Sequence, residues 1–194
     1  MKNVILKPKL ESERLILKVP ELTFENAQML FETTNKNREH LELWLPWISK
    51  VTEPAHSFMF LQNAVKSYLE NKKAEYFIYE KSTGDFYGIC AAHMHDTLTQ
   101  KYISFGYWLD KNKCGKGYMT EAVKTIENDL FSQNVPKLII RNDTKNFGSV
   151  NVAKKLNYHM DGILRSEYYS KKLKSYRDMY IWSKLHPSIE KQRG

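Results

Sequence analysis

The chain has 194 residues, a formal net charge of +8, 42% apolar residues and two cysteines. That length allows one substantial core but not two ordinary domains, so a single domain over residues 1–194, with its core at about 10–185, is expected. No run approaches the ~18 apolar residues that span a bilayer, and Cys90 and Cys114 lack the spacing of a zinc site or a disulfide framework.

The opening residues 1–8 have no apolar stretch or cleavage site of the kind that exports a protein, so a reducing cytoplasm is expected. The positive charge fits nucleic acid, an acidic protein partner or a polyanionic cofactor. Lysine and arginine are spread along the chain, with a local excess only at Lys171, Lys172, Lys174 and Arg177. No zinc-finger, basic-zipper or RNP-type pattern occurs, so nucleic acid is not indicated.

In chain order, Arg14–Lys18 reads as a short strand closed by Pro20. Thr23 is placed to cap a helix carrying Phe24, Ala27, Leu30 and Phe31 on one side. Asn37 is expected to cap a second helix running through Leu41 and Trp44 to Pro46. Phe58, Leu61, Val65, Tyr68 and Leu69 recur at helical spacing and define a third helix ending near Asn71. Tyr76–Tyr79 and Tyr87–Ala91 flank the turn 81–85 and read as a hairpin. Ile103–Leu109 completes an antiparallel meander, with Gly106 as a candidate bulge.

The next stretch organises the rest. Cys114-Gly115-Lys116-Gly117-Tyr118-Met119-Thr120 places two glycines between that strand and a helix marked by Ala122, Val123, Ile126 and Leu130. Glycine allows a tight turn and close approach to the backbone. The first N–H groups of a helix lack internal partners and attract phosphate. The spacing matches neither G-x-x-x-x-G-K-[ST] nor G-x-G-x-x-G. Beyond it lie a strand at Leu138–Arg141, a helix from Ser149 to Leu156, and closing strands near 163–169 and 176–182. The order β-α-α-α-β-β-β-α-β-α-β-β describes an α/β protein of the α+β type, with helices flanking one mixed, mostly antiparallel sheet.

The loop resembles the pyrophosphate loop of the GNAT-superfamily acyltransferases, Q/R-x-x-G-x-G/A. Cys114 stands where Gln or Arg is usual, and Met119 where Gly or Ala is usual. Glu39–Trp47, Gly106-Tyr107-Trp108-Leu109, Asn146–Tyr158 and Arg177-Asp178 are similar to the RimJ/RimL branch, which acetylates ribosomal-protein N-termini. The resemblance implies the GNAT fold, acetyl-CoA as cosubstrate, and a protein N-terminus or a small amine such as a polyamine or aminoglycoside as acceptor. It also implies a homodimer. A non-catalytic acyl-CoA sensor is the reading from another class, because Ser104 and Ala153 stand where the family often places catalytic Glu and Tyr.

By the same resemblance, Cys114, Gly115, Lys116, Gly117, Tyr118, Met119 and Thr120 hold the diphosphate. Trp108 and Leu109 pair with the pantetheine arm, and Asn146 and Ser149 contact it near the sulfur. Ser149 is then the candidate for guiding a proton to sulfur. For the base, His93 and His95 share one face of a strand end, and imidazoles titrate near neutral pH; His93 is the first choice. His95, Ser104, Trp44 and Trp47 are expected on the acceptor side. No metal is expected.

Overall fold

The computed structural model describes residues 4–192, so the outermost residues of both terminal segments lie outside it. Eight strands are described: β1 (Lys9–Glu11), β2 (Leu15–Lys18), β3 (Lys73–Glu80), β4 (Phe86–Asp96), β5 (Lys101–Leu109), β6 (Lys137–Asp143), β7 (His159–Ser170) and β8 (Ser175–Leu185). They form one sheet in the order β1-β2-β3-β4-β5-β6-β8-β7. Every neighbouring pair is antiparallel except β5 with β6. The helices are α1 (Phe24–Lys36), α2 (Arg38–Leu41), α3 (Pro54–Leu69), α4 (Tyr118–Ser132), α5 (Phe147–Lys155) and α6 (Pro187–Glu190).

Strand alternation gives the sheet two apolar faces, and each collects its own helices. Ile103, Phe105 and Leu109 pack with Ala122, Val123 and Ile126 of α4 and with Val150 and Ala153 of α5. Trp108 and Ile89 point the other way, into a cluster with Ala27 and Leu30 of α1, Leu41 of α2 and Leu61 of α3. Helices thus cover both faces, and β5 lies where the two clusters meet.

Local signals explain most boundaries. Thr23 caps α1 as expected, its Oγ1 accepting from the Asn26 N–H at 3.1 Å. The second helix departs from expectation: α2 ends at Leu41, and a separate 3₁₀ turn covers Pro46–Lys50. Asn37 makes no side-chain cap there. Its amide oxygen accepts from the Lys111 N–H at 2.9 Å instead, while Nδ2 donates to the Thr33 carbonyl, so the residue ties α1 to the segment after β5. The fifth helix begins at Phe147 rather than Ser149, with Asn146 as its cap.

Gly106 is not a bulge. β4 and β5 pair without a break from Gly88–Leu109 to Asp96–Lys101. The irregularity lies one ladder away, where Ile78 pairs with Gly88 and Tyr79 with Phe86, leaving Tyr87 extra. Gly88 has φ +147°, and a Cβ there would lie 2.2 Å from the Trp108 carbonyl oxygen. Only glycine fits that crossing.

Candidate active site

The loop after β5 is built to expose backbone donors. Asp110 caps a short turn by accepting from the Asn112 N–H at 2.8 Å. Gly115 and Gly117 then take φ of +78° and +84°, the left-handed region that glycine enters at no steric cost, and α4 starts at Tyr118. Among the described residues the N–H groups of Gly115, Lys116, Gly117, Tyr118, Met119 and Thr120 have no protein acceptor; the first helical bond here runs from Glu121 N to Gly117 O. Nothing lies within 4 Å of a Cβ placed on Gly115. A row of open donors at the positive end of a helix suits a diphosphate.

Arg14 fastens this loop to the start of the sheet. Its Nε donates to Glu121 Oε2 at 2.7 Å and its backbone N–H to Glu121 Oε1 at 2.9 Å. Another guanidinium nitrogen reaches the Lys116 carbonyl at 3.2 Å, and the group lies 4.4 Å from the centre of the Tyr118 ring. Ser12 Oγ adds a bond to Glu121 at 2.7 Å. Burial alone would raise the Glu121 carboxyl, but these donors hold it below the usual carboxylate range.

The sheet is parted beside the loop. β5 pairs with β6 only through Ile103, Ser104 and Phe105, so Gly106–Leu109 has no partner on that side. The Asp110 N–H bonds back to β4 at Tyr87 O, and the Trp108 carbonyl also points at β4. By strand alternation the main-chain groups of Tyr107 and Leu109 therefore face the gap, whereas those of Trp108, expected from the resemblance to pair with the pantetheine arm, are turned to β4. A cavity of about 940 Å³ runs through it, from Gly115–Thr120 past Tyr107 and Ser149 to Leu43, Trp44, Leu45 and Pro46.

One polar network stands in the middle of the cavity. Trp182 Nε1 donates to Asn142 Oδ1 at 3.2 Å. The indole can only donate, so the Asn142 amide oxygen is fixed as the acceptor and its nitrogen must donate. That nitrogen lies 3.1 Å from Ser149 Oγ, and the Tyr107 hydroxyl lies 2.9 Å from the same oxygen. Burial pushes the Tyr107 phenol well above its ordinary value, so it carries its proton at neutral pH. Asn146 holds the Ser149 N–H at 3.2 Å.

The cavity floor carries an ion pair. Arg177 clamps Asp143 through two bonds of 2.8 and 2.7 Å, and the Tyr168 hydroxyl and Lys145 N–H add 2.9 and 2.7 Å contacts. Burial would raise Asp143, but this set holds it below the usual carboxylate range. Asp143 is the one carboxylate lining the cavity among the described residues, and it has no basicity to spare.

The structure brings Trp108, Leu109, the loop residues from Cys114 to Thr120, Asn146, Ser149 and Trp44 towards this cavity, although Lys116 does not itself line it. It does not bring Trp47, His93, His95 or Ser104 into the lining. Trp47 is 41% exposed on the 3₁₀ turn. His95 stacks on Tyr102 and holds Ser104 Oγ at 3.0 Å. His93 sits behind Gly106, its Nε2 3.6 Å from where a Cβ would be. Burial first, then Lys73 and His95, lower it from its ordinary 6.5 to about 4. The side chains of Tyr107, Asn142, Trp182, Asp143 and Arg14 carry no role in the sequence reading, which concerns only the main chain near Tyr107. Tyr107 lies inside a quoted motif, yet its link to Ser149 depends on how the parted strands face α5.

A glycine turn that opens onto a helix N-terminus is the loop that the resemblance to the acyltransferases implies. The family model of the acetyltransferase (GNAT) domain matches residues 14–159, well over half of the chain. The chain belongs to the GNAT acetyltransferase family. It is 30% identical over 118 residues to the uncharacterized N-acetyltransferase p20 of Bacillus licheniformis, a match covering 60% of this chain and 65%, just under two thirds, of that protein.

Two solved structures share the fold. A RimL ribosomal L7/L12 alpha-N-protein acetyltransferase in complex with coenzyme A superposes with a TM-score of 0.83 at 18% identity, covering 91% of this chain and 97% of that one. The microcin C7 self-immunity acetyltransferase MccE, in complex with acetyl-CoA and AMP, gives 0.81 at 22%, covering 90% and 93%.

Proposed function

We propose that the protein transfers an acetyl group from acetyl-CoA to a primary amine, and that the amine is the N-terminus of a protein, with ribosomal proteins the first class to test. One observation carries this reading. A single cavity joins five residues of the open-amide loop, Gly115 and Gly117–Thr120, to Ser149 and to the apolar wall at Leu43–Pro46. The fold shared with structures that hold coenzyme A or acetyl-CoA supports it. The reading places the protein in the cytoplasm; no helix among the described residues is long and apolar enough to cross a membrane.

In this reading the diphosphate takes the amides of Gly115–Thr120, and the pantetheine arm lies along the open edge of β5, pairing with Tyr107 and Leu109. A main-chain N–H of that edge receives the thioester oxygen as negative charge builds on it, an interaction that contributes several kcal/mol in a site closed to water. The amine nitrogen bonds to the acetyl carbon, the carbon–sulfur bond breaks, and the departing sulfur takes a proton from the Ser149 hydroxyl. Tyr107, 2.9 Å from that oxygen, resupplies it. The amine nitrogen passes its own proton to solvent as the amide forms, and solvent returns one to the Tyr107 phenol, so that the amide, the thiol, the serine and the tyrosine all end neutral. An α-amine has a pKa near ~8, so a fraction is neutral at physiological pH without a strong base.

The lining also bears on the acceptor. Lys113, Arg141, Lys145 and Lys155 border the cavity, while its one carboxylate is clamped by Arg177. A polyamine or aminoglycoside, carrying several charges, finds no free anion there. The test is thiol release from acetyl-CoA with a panel of N-terminal peptides, spermidine and an aminoglycoside. Turnover on peptides is expected. Turnover on polycations alone would overturn the acceptor assignment, and acetyl-CoA binding with no turnover on any amine would make the protein a sensor.

A further inference from the structure

A second groove, of about 620 Å³, lies between α4, the last turn of α5 and the β1–β2 turn, and shares Gly117, Thr120 and Lys155 with the main cavity. We infer that this groove holds the 3′-phosphate of coenzyme A, gripped by Lys124 and Lys155. The inference rests on the acetyl-CoA reading above and goes further, because it assigns the part of the ligand that the loop amides leave over.

The chemistry of the ligand sets the requirement. Coenzyme A carries a diphosphate and, on its ribose, a phosphate monoester with close to two negative charges at neutral pH. The loop donors can serve the diphosphate. The monoester lies beyond it on the nucleotide side, away from the pantetheine arm. On the protein, the same direction leads from Thr120 along α4. Lys124 is four residues on, about 6 Å of helix rise, and on the same helix face. Lys155 approaches from α5 across the groove.

Charge pairing separates these two lysines from most of their neighbours. Arg14 is committed to Glu121, Lys113 to Asp85, Arg141 to Glu167 and Arg177 to Asp143. Among the described residues neither Lys124 nor Lys155 has an ion-pair partner, although both are exposed beside acids. Those acids are largely taken. Glu121 is held by Arg14 and Ser12, and Glu11 by Lys9 and Lys81. Glu13 alone is open in the groove, against two free ammonium groups. Lys116 and Lys145 are also free, but they border the loop and the main cavity rather than this groove. An ammonium is a compact point charge suited to a phosphate monoester.

The experiment compares acetyl-CoA with acetyl-dephospho-CoA, which lacks only this phosphate. For the wild-type chain the KM for the dephospho donor should be about fivefold to tenfold higher, the effect of two exposed charge contacts, with kcat unchanged. In the Lys124→Ala/Lys155→Ala double variant the two donors should agree within about twofold, because the phosphate has lost its partners. A wild-type ratio near one overturns the assignment while leaving acetyl-CoA as the donor; this comparison needs no variant. A ratio that survives in the double variant places the phosphate elsewhere. If neither thioester gives binding heat or turnover, the acetyl-CoA reading itself falls and takes the inference with it.

Discussion

Trp182 sets the direction of hydrogen bonding at Ser149 from two residues away. Because its indole only donates, Asn142 must turn its nitrogen to Ser149 Oγ, which leaves the serine proton free for Tyr107 or for a ligand. Ser149→Ala and Tyr107→Phe should each lower kcat by about 10–100-fold, the range for a positioned proton donor. The KM for acetyl-CoA should stay within about twofold, as steady-state kinetics will show. His93 gives a prediction on stability. Its folded pKa of about 4 lies below its ordinary 6.5, so between those values the unfolded chain binds a proton that the folded chain refuses. Stability is full above pH 6.5 and falls as the pH drops towards 4, by an amount on the order of 3 kcal/mol. Thermal melts across that window should show a shallower acid loss for His93→Gln. Period-two alternation placed His93 and His95 on one face, but it says nothing of depth. The side chain's position behind Gly106 comes from the register Ala91–Gly106 and His93–Ser104, which no single strand encodes.

Among the elements, those with strong local punctuation were readable from the chain. The loop before α4 announces itself by two glycines, and α4 by Ala122, Val123, Ile126 and Leu130, all buried. The segment 37–50 departs from the expected helix because Asn37 has the chemistry of a cap but accepts instead from Lys111, 74 residues away. A glycine inside a strand reads as a bulge at Gly106, yet the constrained glycine is Gly88, whose neighbour Trp108 belongs to another strand. Gly88→Ala should therefore cost more than about 3 kcal/mol, combining positive φ with a backbone clash, and denaturant melts will measure it. Arg14 joins β2 to the glycine loop through Glu121, Lys116 and Tyr118. Arg14→Ala should raise the KM for acetyl-CoA by about fivefold or more while kcat changes less than twofold, with Arg14→Lys only partly restoring it. A loss confined to kcat would mean that the loop keeps its shape without this tie.

At the level of the whole molecule, the +8 charge was ambiguous among three kinds of partner. Near the site, Arg14, Lys113, Arg141 and Arg177 are already paired, and Lys124, Lys145 and Lys155 border the groove or the cavity without an ion-pair partner among the described residues. Element order was enough to anticipate a single mixed sheet, whereas the parting of β5 from β6 depends on where their ladder stops. That ladder has three rungs, Ile103–Leu138, Ser104–Ile139 and Phe105–Ile140. The sheet is thus two leaves joined by a short seam, β1 to β5 on one side and β6 to β8 on the other. A ligand strung along Tyr107–Leu109 would act as a splint across it. Amide exchange in the empty protein should be fastest at the open end of β5 and slow there on adding acetyl-CoA. The melting temperature should climb with the logarithm of its concentration, since each tenfold excess over Kd adds about 1.4 kcal/mol.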